Sequence, residues 1–294
     1  MASFQNRPAD PLSPGIAGRA AGHPPNGVAS QARCRRRPSK RYAGGSAPDR
    51  LGRALRRIWP ATLGFLLALA PPDTAAAGEA VRGVVRVAVD VGHTLAEPGA
   101  ISARGRPEFD FNRELALKVA DALARLGLEG VLVNADGTIE SLAARPAQVP
   151  EADFFIAIHH DSVSEWELEQ WEWAGRTETY SDRWAGHSLF VSRRNPHPAR
   201  SLLCATAIGA RLQRVGFTPT DKNARRREYA DALHAVHYFD DLVVLYRATQ
   251  PALLFEAGVI KHREEELLLR APQRQARMAE EIATGIAACL AVPR

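Results

Sequence analysis

Asp153-Phe-Phe-Ile-Ala-Ile-His159-His160-Asp161 is a short apolar run that stops abruptly in two histidines and a carboxylate. An apolar run without polar alternation suits a strand covered on both faces, as in a parallel sheet. Runs of the same kind recur on either side. Val84-Val-Arg-Val-Ala-Val-Asp90 comes first, then Glu129 to Asn134, Ser188 to Val191, Leu242 to Tyr246 and Ala252 to Phe255. Helical periodicity separates them. Leu115, Val119, Ala122 and Leu126 fall on one face of a helix expected over Asn112–Leu126, which Gly127 stops. Further helices are expected over Ser201–Val215 and Gln273–Leu290. Strands interleaved with helices predict one α/β domain: a mostly parallel central sheet of about six strands with helices on both faces.

Functional groups of open α/β sheets gather at the carboxyl ends of strands, and three predicted strand ends carry unusual polar residues. The first ends in Asp90-Val-Gly-His93, the third in His159-His160-Asp161, and the last in Glu256 after Ala-Leu-Leu-Phe. A lone histidine at a strand end is more often structural than a ligand. A Glu following an apolar run needs a partner, because an isolated buried carboxylate is costly. No Lys or Arg stands near on that strand, so a metal or an imidazolium is the expected neighbour. Glu108 stands in a Gly- and Pro-rich loop before the first helix, where the helix dipole alone would also favour an acid. Two His and one carboxylate with an open fourth position match a catalytic zinc site, and a second Glu could act as base. The ligands would have to converge from separate loops.

The chain has 294 residues, 46% hydrophobic, enough for a large core. Its net charge of +5 is unevenly spread. Residues 1–77 hold 12 basic and 3 acidic side chains. Of the chain's 38 and 33, that leaves 26 basic and 30 acidic for residues 78–294. The mildly acidic body gives no case for nucleic acid. No apolar run reaches the ~18 residues of a spanning helix, which excludes an integral membrane domain. Residues 1–50, with 7 Pro, 6 Gly and arginines around Cys34, are expected to be disordered. Arg53, Arg56 and Arg57 then precede the apolar run Ile58–Ala70 and the small residues Ala75-Ala-Ala77, the layout of a secretory signal over 51–77 cut after Ala77. A signal so far inside suggests a misassigned start, with translation beginning near Leu51. Cys204 and Cys289 both fall on apolar helical faces and are read as buried single thiols rather than a disulfide.

Four motifs in order resemble those of the zinc-dependent N-acetylmuramoyl-L-alanine amidases of the amidase-3 type, across roughly residues 84–290. They are Val89-Asp-Val-Gly-His93, Glu108-Phe-Asp-Phe-Asn112, Phe155-Ile-Ala-Ile-His159 and Leu254-Phe-Glu256-Ala-Gly258. The resemblance implies one zinc ion held by His93, Glu108 and His159, with Glu256 as general base. It implies hydrolysis of the amide between N-acetylmuramic acid and L-alanine in peptidoglycan or muropeptides, in the periplasm or outside the cell. The flanks depart from the family: Thr94-Leu95 replaces its Gly-Gly, His160-Asp161 its Ala-Asn, and only Arg145 matches the family's arginine in the stretch before the third strand. Neighbouring strand residues point to opposite faces, so His159 or His160, and by the motif His159, reaches the metal. The rival readings are another zinc amidohydrolase or carboxypeptidase on this scaffold, and a non-catalytic wall-binding or regulatory module.

Within the catalytic domain, residues 78–294, segment 163–185 is read as an insertion overhanging the site. It holds Trp166, Trp171, Trp173 and Trp184. It is expected to be a lid whose indoles meet substrate, a satellite cluster that holds a loop down, or a plug with a Glu on the metal. Trp166, Trp171, Trp173 and Asn112 are the candidate substrate contacts. The run Ala224-Arg-Arg-Arg227 is read as a solvated face that substrate carboxylates could also meet.

Overall fold

A computed structural model describes residues 83–293. The predicted N-terminal extension and the signal segment 51–77 lie outside the described residues. The first strand, β1 (Arg86–Val91), leads through a long loop to α1 (Glu108–Arg125) and β2 (Glu129–Val133). Then come β3 (Phe154–Asp161), a hairpin of β4 (Glu169–Trp173) and β5 (Arg176–Tyr180), β6 (Ser188–Val191) and α2 (Pro198–Arg214). The chain closes with β7 (Tyr229–Asp231), β8 (Val236–Tyr238), α3 (Val243–Arg247), β9 (Ala252–Val259), α4 (Arg263–Arg270) and α5 (Pro272–Ala291).

Seven strands form the central sheet in the order β2-β1-β3-β9-β6-β8-β7. The β2-β1-β3-β9 half is parallel throughout. β6 runs antiparallel to β9 and parallel to β8, while β7 is antiparallel to β8. The predicted mostly parallel α/β sheet is therefore present, with one strand more than expected. Strand parity decides what each face packs against. Val87, Val89, Val91, Ile156, Ile158 and Phe255 face one way, into a core with α1, α2 and α5. Ala88, Phe155, Ala157 and Leu254 face the other way, toward α3 and the irregular chain around Val149 and Ala152. The long helices thus cover one face, and the short α3 with irregular chain covers the other.

Two expectations are corrected. Residues 242–246, predicted as a strand, are helical: α3 spans Val243–Arg247. Five apolar residues cannot distinguish a buried strand from a buried helical turn by periodicity, and Leu245 and Ala248 insert into the second core. Cys204 and Cys289 are not single thiols but a disulfide joining α2 to α5, with Cα atoms 5.1 Å apart. Each was placed correctly on an apolar helical face. The two faces pack against each other, and no spacing in the sequence reveals that. The bridge closes a separation of 85 residues, so it should stabilise the fold by about 2–4 kcal/mol, chiefly by restricting the unfolded chain. We expect the double substitution Cys204→Ala and Cys289→Ala to lower the urea-unfolding free energy by that amount. Reductant should reproduce the change in the wild type and do nothing to the variant.

Helix starts follow prolines more closely than predicted. α2 and α5 begin with Pro198 and Pro272 in their first turns, where the missing N–H costs nothing. α1 begins directly after Pro107, four residues before the expected Asn112, and so takes Glu108 as its first residue.

Candidate metal centre

β1 and β3 run side by side, so their carboxyl ends deliver His93 and His159 to one place, and the first turn of α1 brings Glu108 between them. Glu108 Oε2 lies 3.0 Å from His93 Nε2, and Glu108 Oε1 lies 3.2 Å from His159 Nδ1. One ligand atom from each of the three falls within 4.8 Å of the others, and this is the only such group of His, Cys, Asp or Glu among the described residues. The sequence prediction of these three residues as neighbours is met.

Each side chain is held by its surroundings. The Glu108 carboxylate accepts from the Ala100 N–H at 3.2 Å, Asn112 Nδ2 at 3.1 Å and the His160 N–H at 3.3 Å. His93 sits in the left-handed region at φ 70°, a conformation costing roughly 1–2 kcal/mol outside glycine. Its carbonyl accepts from Asn134 Nδ2 and Arg145 Nη2, both at 2.7 Å, which fixes that geometry. The cradle is tight. A Cβ on Gly92 would collide with the His159 ring, and one on Gly99 would come 2.6 Å from Glu108 Oε2 at a backbone φ of +80°. Packing this close leaves the donors facing one another rather than water.

The electrostatics suit a cation. Burial alone would raise the Glu108 carboxyl, but the imidazoles of His93 and His159 hold it well below the usual carboxylate range. Burial lowers His159 toward its neutral form, against the pull of Glu108. At His93 burial opposes protonation, but the Glu108 charge outweighs it and raises the imidazole, so a metal there would displace that proton. An ionised carboxylate and neutral imidazole are the forms that bind metals. His160 turns to the other side of the sheet, as strand parity predicts. Its Nδ1 lies 2.8 Å from Asn112 Oδ1, its ring packs on Phe111, and burial pushes it down to about 3. Asn112, expected as a substrate contact, is fully buried with both ends of its amide engaged, so it orients Glu108 and His160 instead.

Glu256 pairs with His159 in the β3–β9 register, which aims both at the same side of the sheet. Its Oε2 is buried without a hydrogen-bond partner. Burial, reinforced by Asp161 and Glu108, raises its carboxyl well above the ordinary value, against Lys222 and Arg227. The positive charge expected near Glu256 thus comes from the segment 222–227, not from its own strand. Arg225 and Arg226 of that run are exposed, as expected of a solvated face, and Arg227 is half-buried. Arg225 donates to the Glu167 carboxylate, and the Arg227 guanidinium lies 3.7 Å from the Phe239 ring centre.

The insertion is a hairpin anchored by its aromatic face. Trp171 Nε1 donates to the Ala103 carbonyl at 2.9 Å, Trp171 stacks on Trp173, and Arg104 lies over both rings. Trp171 and Trp173 therefore help hold the hairpin down, as in the satellite-cluster reading, while Trp173 stays 39% exposed. Among the described residues no insertion glutamate joins the triad. Glu167, for one, accepts from Trp184 Nε1 and Arg225. Trp166 differs: it is 66% exposed and follows the third ligand strand closely.

Arg145 was legible only through its resemblance, and Asn134 not at all. Both act on backbone carbonyls at the end of β1 rather than on any side chain of the triad, except that Arg145 also lies 3.5 Å from buried Asp90.

The site thus gathers a three-donor group suited to a metal beside a further acid, Glu256, on an α/β scaffold. The family profile described as N-acetylmuramoyl-L-alanine amidase matches residues 87–288. The chain belongs to that family. Among solved structures it is similar to the catalytic domain of the amidase CwlV from Bacillus (Paenibacillus) polymyxa var. colistinus, at 26% identity and TM-score 0.55, covering 71% of this chain and 100% of that one. The amidase Ami1 from Mycobacterium smegmatis shares the fold at 19% identity and TM-score 0.57, covering 70% and 96%. No curated protein sequence matches the chain significantly.

Proposed function

We propose that His93, Glu108 and His159 hold one zinc ion and that the protein cleaves the amide joining N-acetylmuramic acid to L-alanine in peptidoglycan or muropeptides. The observation that carries this is the convergence of the three donors within 4.8 Å beside Glu256, whose Oε2 is buried without a hydrogen-bond partner, in a chain of this family. Bound there, zinc polarises a carbonyl and acidifies water. Glu256 then takes the proton of the attacking water at Oε2 and passes it to the departing amine of L-alanine. Its raised carboxyl brings its proton affinity closer to that of a base working near neutrality. Trp166, 66% exposed and five residues beyond β3, with Arg225 over its ring, would offer its open indole face to substrate. The Cys204–Cys289 disulfide supports action in an oxidising compartment. That fits a periplasmic or secreted enzyme delivered by the 51–77 signal. No helix among the described residues is long and apolar enough to cross a membrane.

Mass spectrometry of muropeptides treated with the protein tests the reading. We expect free stem peptides beginning with L-alanine, lost on chelation and restored by zinc. Peptides shortened at the carboxyl end would replace it with a carboxypeptidase, and chelator-resistant cleavage would remove the metal. His93→Ala should weaken zinc binding in a calorimetric titration by more than the about 10- to 100-fold typical of losing an outer partner.

A further inference from the structure

We propose that Arg227 is an anion site at the edge of the cleft, and that it takes a carboxylate on the peptide portion of the substrate near the scissile amide. This rests on the amidase reading above. Strand geometry places the residue. In the antiparallel β6–β9 pair, Ser188 stands opposite Glu256 and Phe190 opposite Leu254. Side chains two apart on a strand share a face, so Phe190 lies on the Glu256 side. The Arg227 guanidinium packs 5.4 Å from the Phe190 ring centre and 3.7 Å from that of Phe239. The segment leading to it is tied to the site. Lys222 Nζ lies 2.7 Å from Asp161 Oδ1, and Asn223 Nδ2 donates to Asp161 Oδ2 at 3.1 Å and Ser188 Oγ at 3.0 Å. The Arg227 N–H donates to the Asn223 carbonyl at 3.1 Å. Arg227 therefore cannot drift away from the cleft without breaking the turn that holds it.

Three nearby cations are paired: Lys222 with Asp161, Arg225 with Glu167, and Arg193 with Asp240 and Glu228. Arg227 makes no ion pair and no side-chain hydrogen bond among the described residues, and its Nε is buried and unsatisfied. A guanidinium cannot shed its proton to relieve this, and a half-buried unpaired cation is costly unless an anion completes it. Asp161 is already occupied by Lys222 and Asn223, and Glu256, the other acid acting on Arg227, forms no ion pair or hydrogen bond with it. The missing anion is then expected from a ligand. The planar fork of Arg suits a carboxylate. On a muramyl peptide the lactyl carboxyl is consumed in the scissile amide and the sugar is neutral, so free carboxylates belong to the peptide. Arg227 would thereby set which stem peptides are cut.

The test uses two muramyl dipeptides that differ only in bearing a free carboxylate or a carboxamide on the second residue. The wild type should show a KM about tenfold lower for the carboxylate, the scale of one charge-assisted hydrogen bond. Arg227→Met should erase that preference by raising KM for the carboxylate form, while Arg227→Lys should retain part of it. A wild type indifferent to the two forms overturns the proposal. So does a Met variant that keeps the full preference or loses kcat equally on both. Should the Met variant fail to fold, the Lys variant decides alone: an undiminished preference overturns the proposal. Calorimetric binding of the same dipeptides to Glu256→Gln, with and without Arg227→Met, separates this from the amidase reading. Binding that favours the carboxylate only when Arg227 is present sustains the anion site even if neither dipeptide is cleaved by the wild type. Binding without that preference ends it.

Discussion

Glu256→Gln should lower kcat by about 10²- to 10⁴-fold, the usual contribution of a positioned acid–base group, while zinc content stays at the wild-type level. The expectation comes from where Glu256 stands. It lies across the β3–β9 pair from His159, close enough in register to share the cleft, yet it is not one of the three clustered donors. Its Oε2 is engaged by no protein group, which leaves it able to accept a proton. Gln keeps the shape and removes the acceptor. Metal analysis alongside steady-state kinetics checks both halves. A kcat within a fewfold of wild type would remove Glu256 from the chemistry, and loss of metal would make it a ligand instead. Stability gives a second readout in metal-free protein. A carboxyl raised by burial contributes stability below its unfolded value and loses it as pH rises toward the folded one. The Gln variant should therefore melt higher than wild type at pH 8, with the difference shrinking toward pH 5.

The parts of this site that could be read in the sequence are those where continuous burial makes a polar residue conspicuous. β1, β3 and β9 are covered on both faces, so each appears as an apolar run, and His93 just past β1, His159 near the end of β3 and Glu256 stand out from them. β9 continues beyond the expected Phe255 to Val259, so Glu256 lies inside it. Glu108 needed the helix to start four residues early, and Pro107 was the available signal. The hairpin carried a signal that went unused. Trp171 and Trp173 alternate at period two, and Ala174-Gly175, with φ 50° and 75°, form the two-residue turn. β7 and β8, three residues each, are too short to show a period. The disulfide and α3 depended on which faces meet in space, which local pattern does not encode. The arginines were least legible. In sequence Arg145 and Arg227 look like surface cations. What buries them is a set of carbonyls in one case and two aromatic rings in the other, all contributed from elsewhere in the chain.

Arg145→Met is expected to cost about 3–5 kcal/mol of folding free energy, the range for removing one member of a buried charged group, and to weaken zinc binding as well. The Arg145 side chain is 2% exposed and lies 3.5 Å from Asp90, itself wholly buried. Its guanidinium donates to the carbonyls of Val91 at 2.9 Å, His93 at 2.7 Å and Ile139 at 3.2 Å. Removing it leaves buried Asp90 without its guanidinium and the Val91 carbonyl with Asn134 as its remaining side-chain donor. Methionine fills much of the volume, so the loss reads the polar contacts rather than a cavity. The His93 carbonyl keeps only its bond from Asn134, and the left-handed backbone that aims the imidazole is less firmly held. Zinc affinity should drop by about 10- to 100-fold, as for other outer partners of metal ligands. Burial already raises Asp90 to about 7, against the opposing pull of Arg145, and without the arginine it rises further. A raised carboxyl loses stability as pH climbs toward its folded value, so in the variant that loss continues past the point where it ends in the wild type. The deficit should consequently be larger at pH 8 than at pH 6. Urea unfolding at the two pH values and a zinc titration check it. A loss under about 1 kcal/mol, or one independent of pH, would show that the β1 strand end holds His93 without help from this cation.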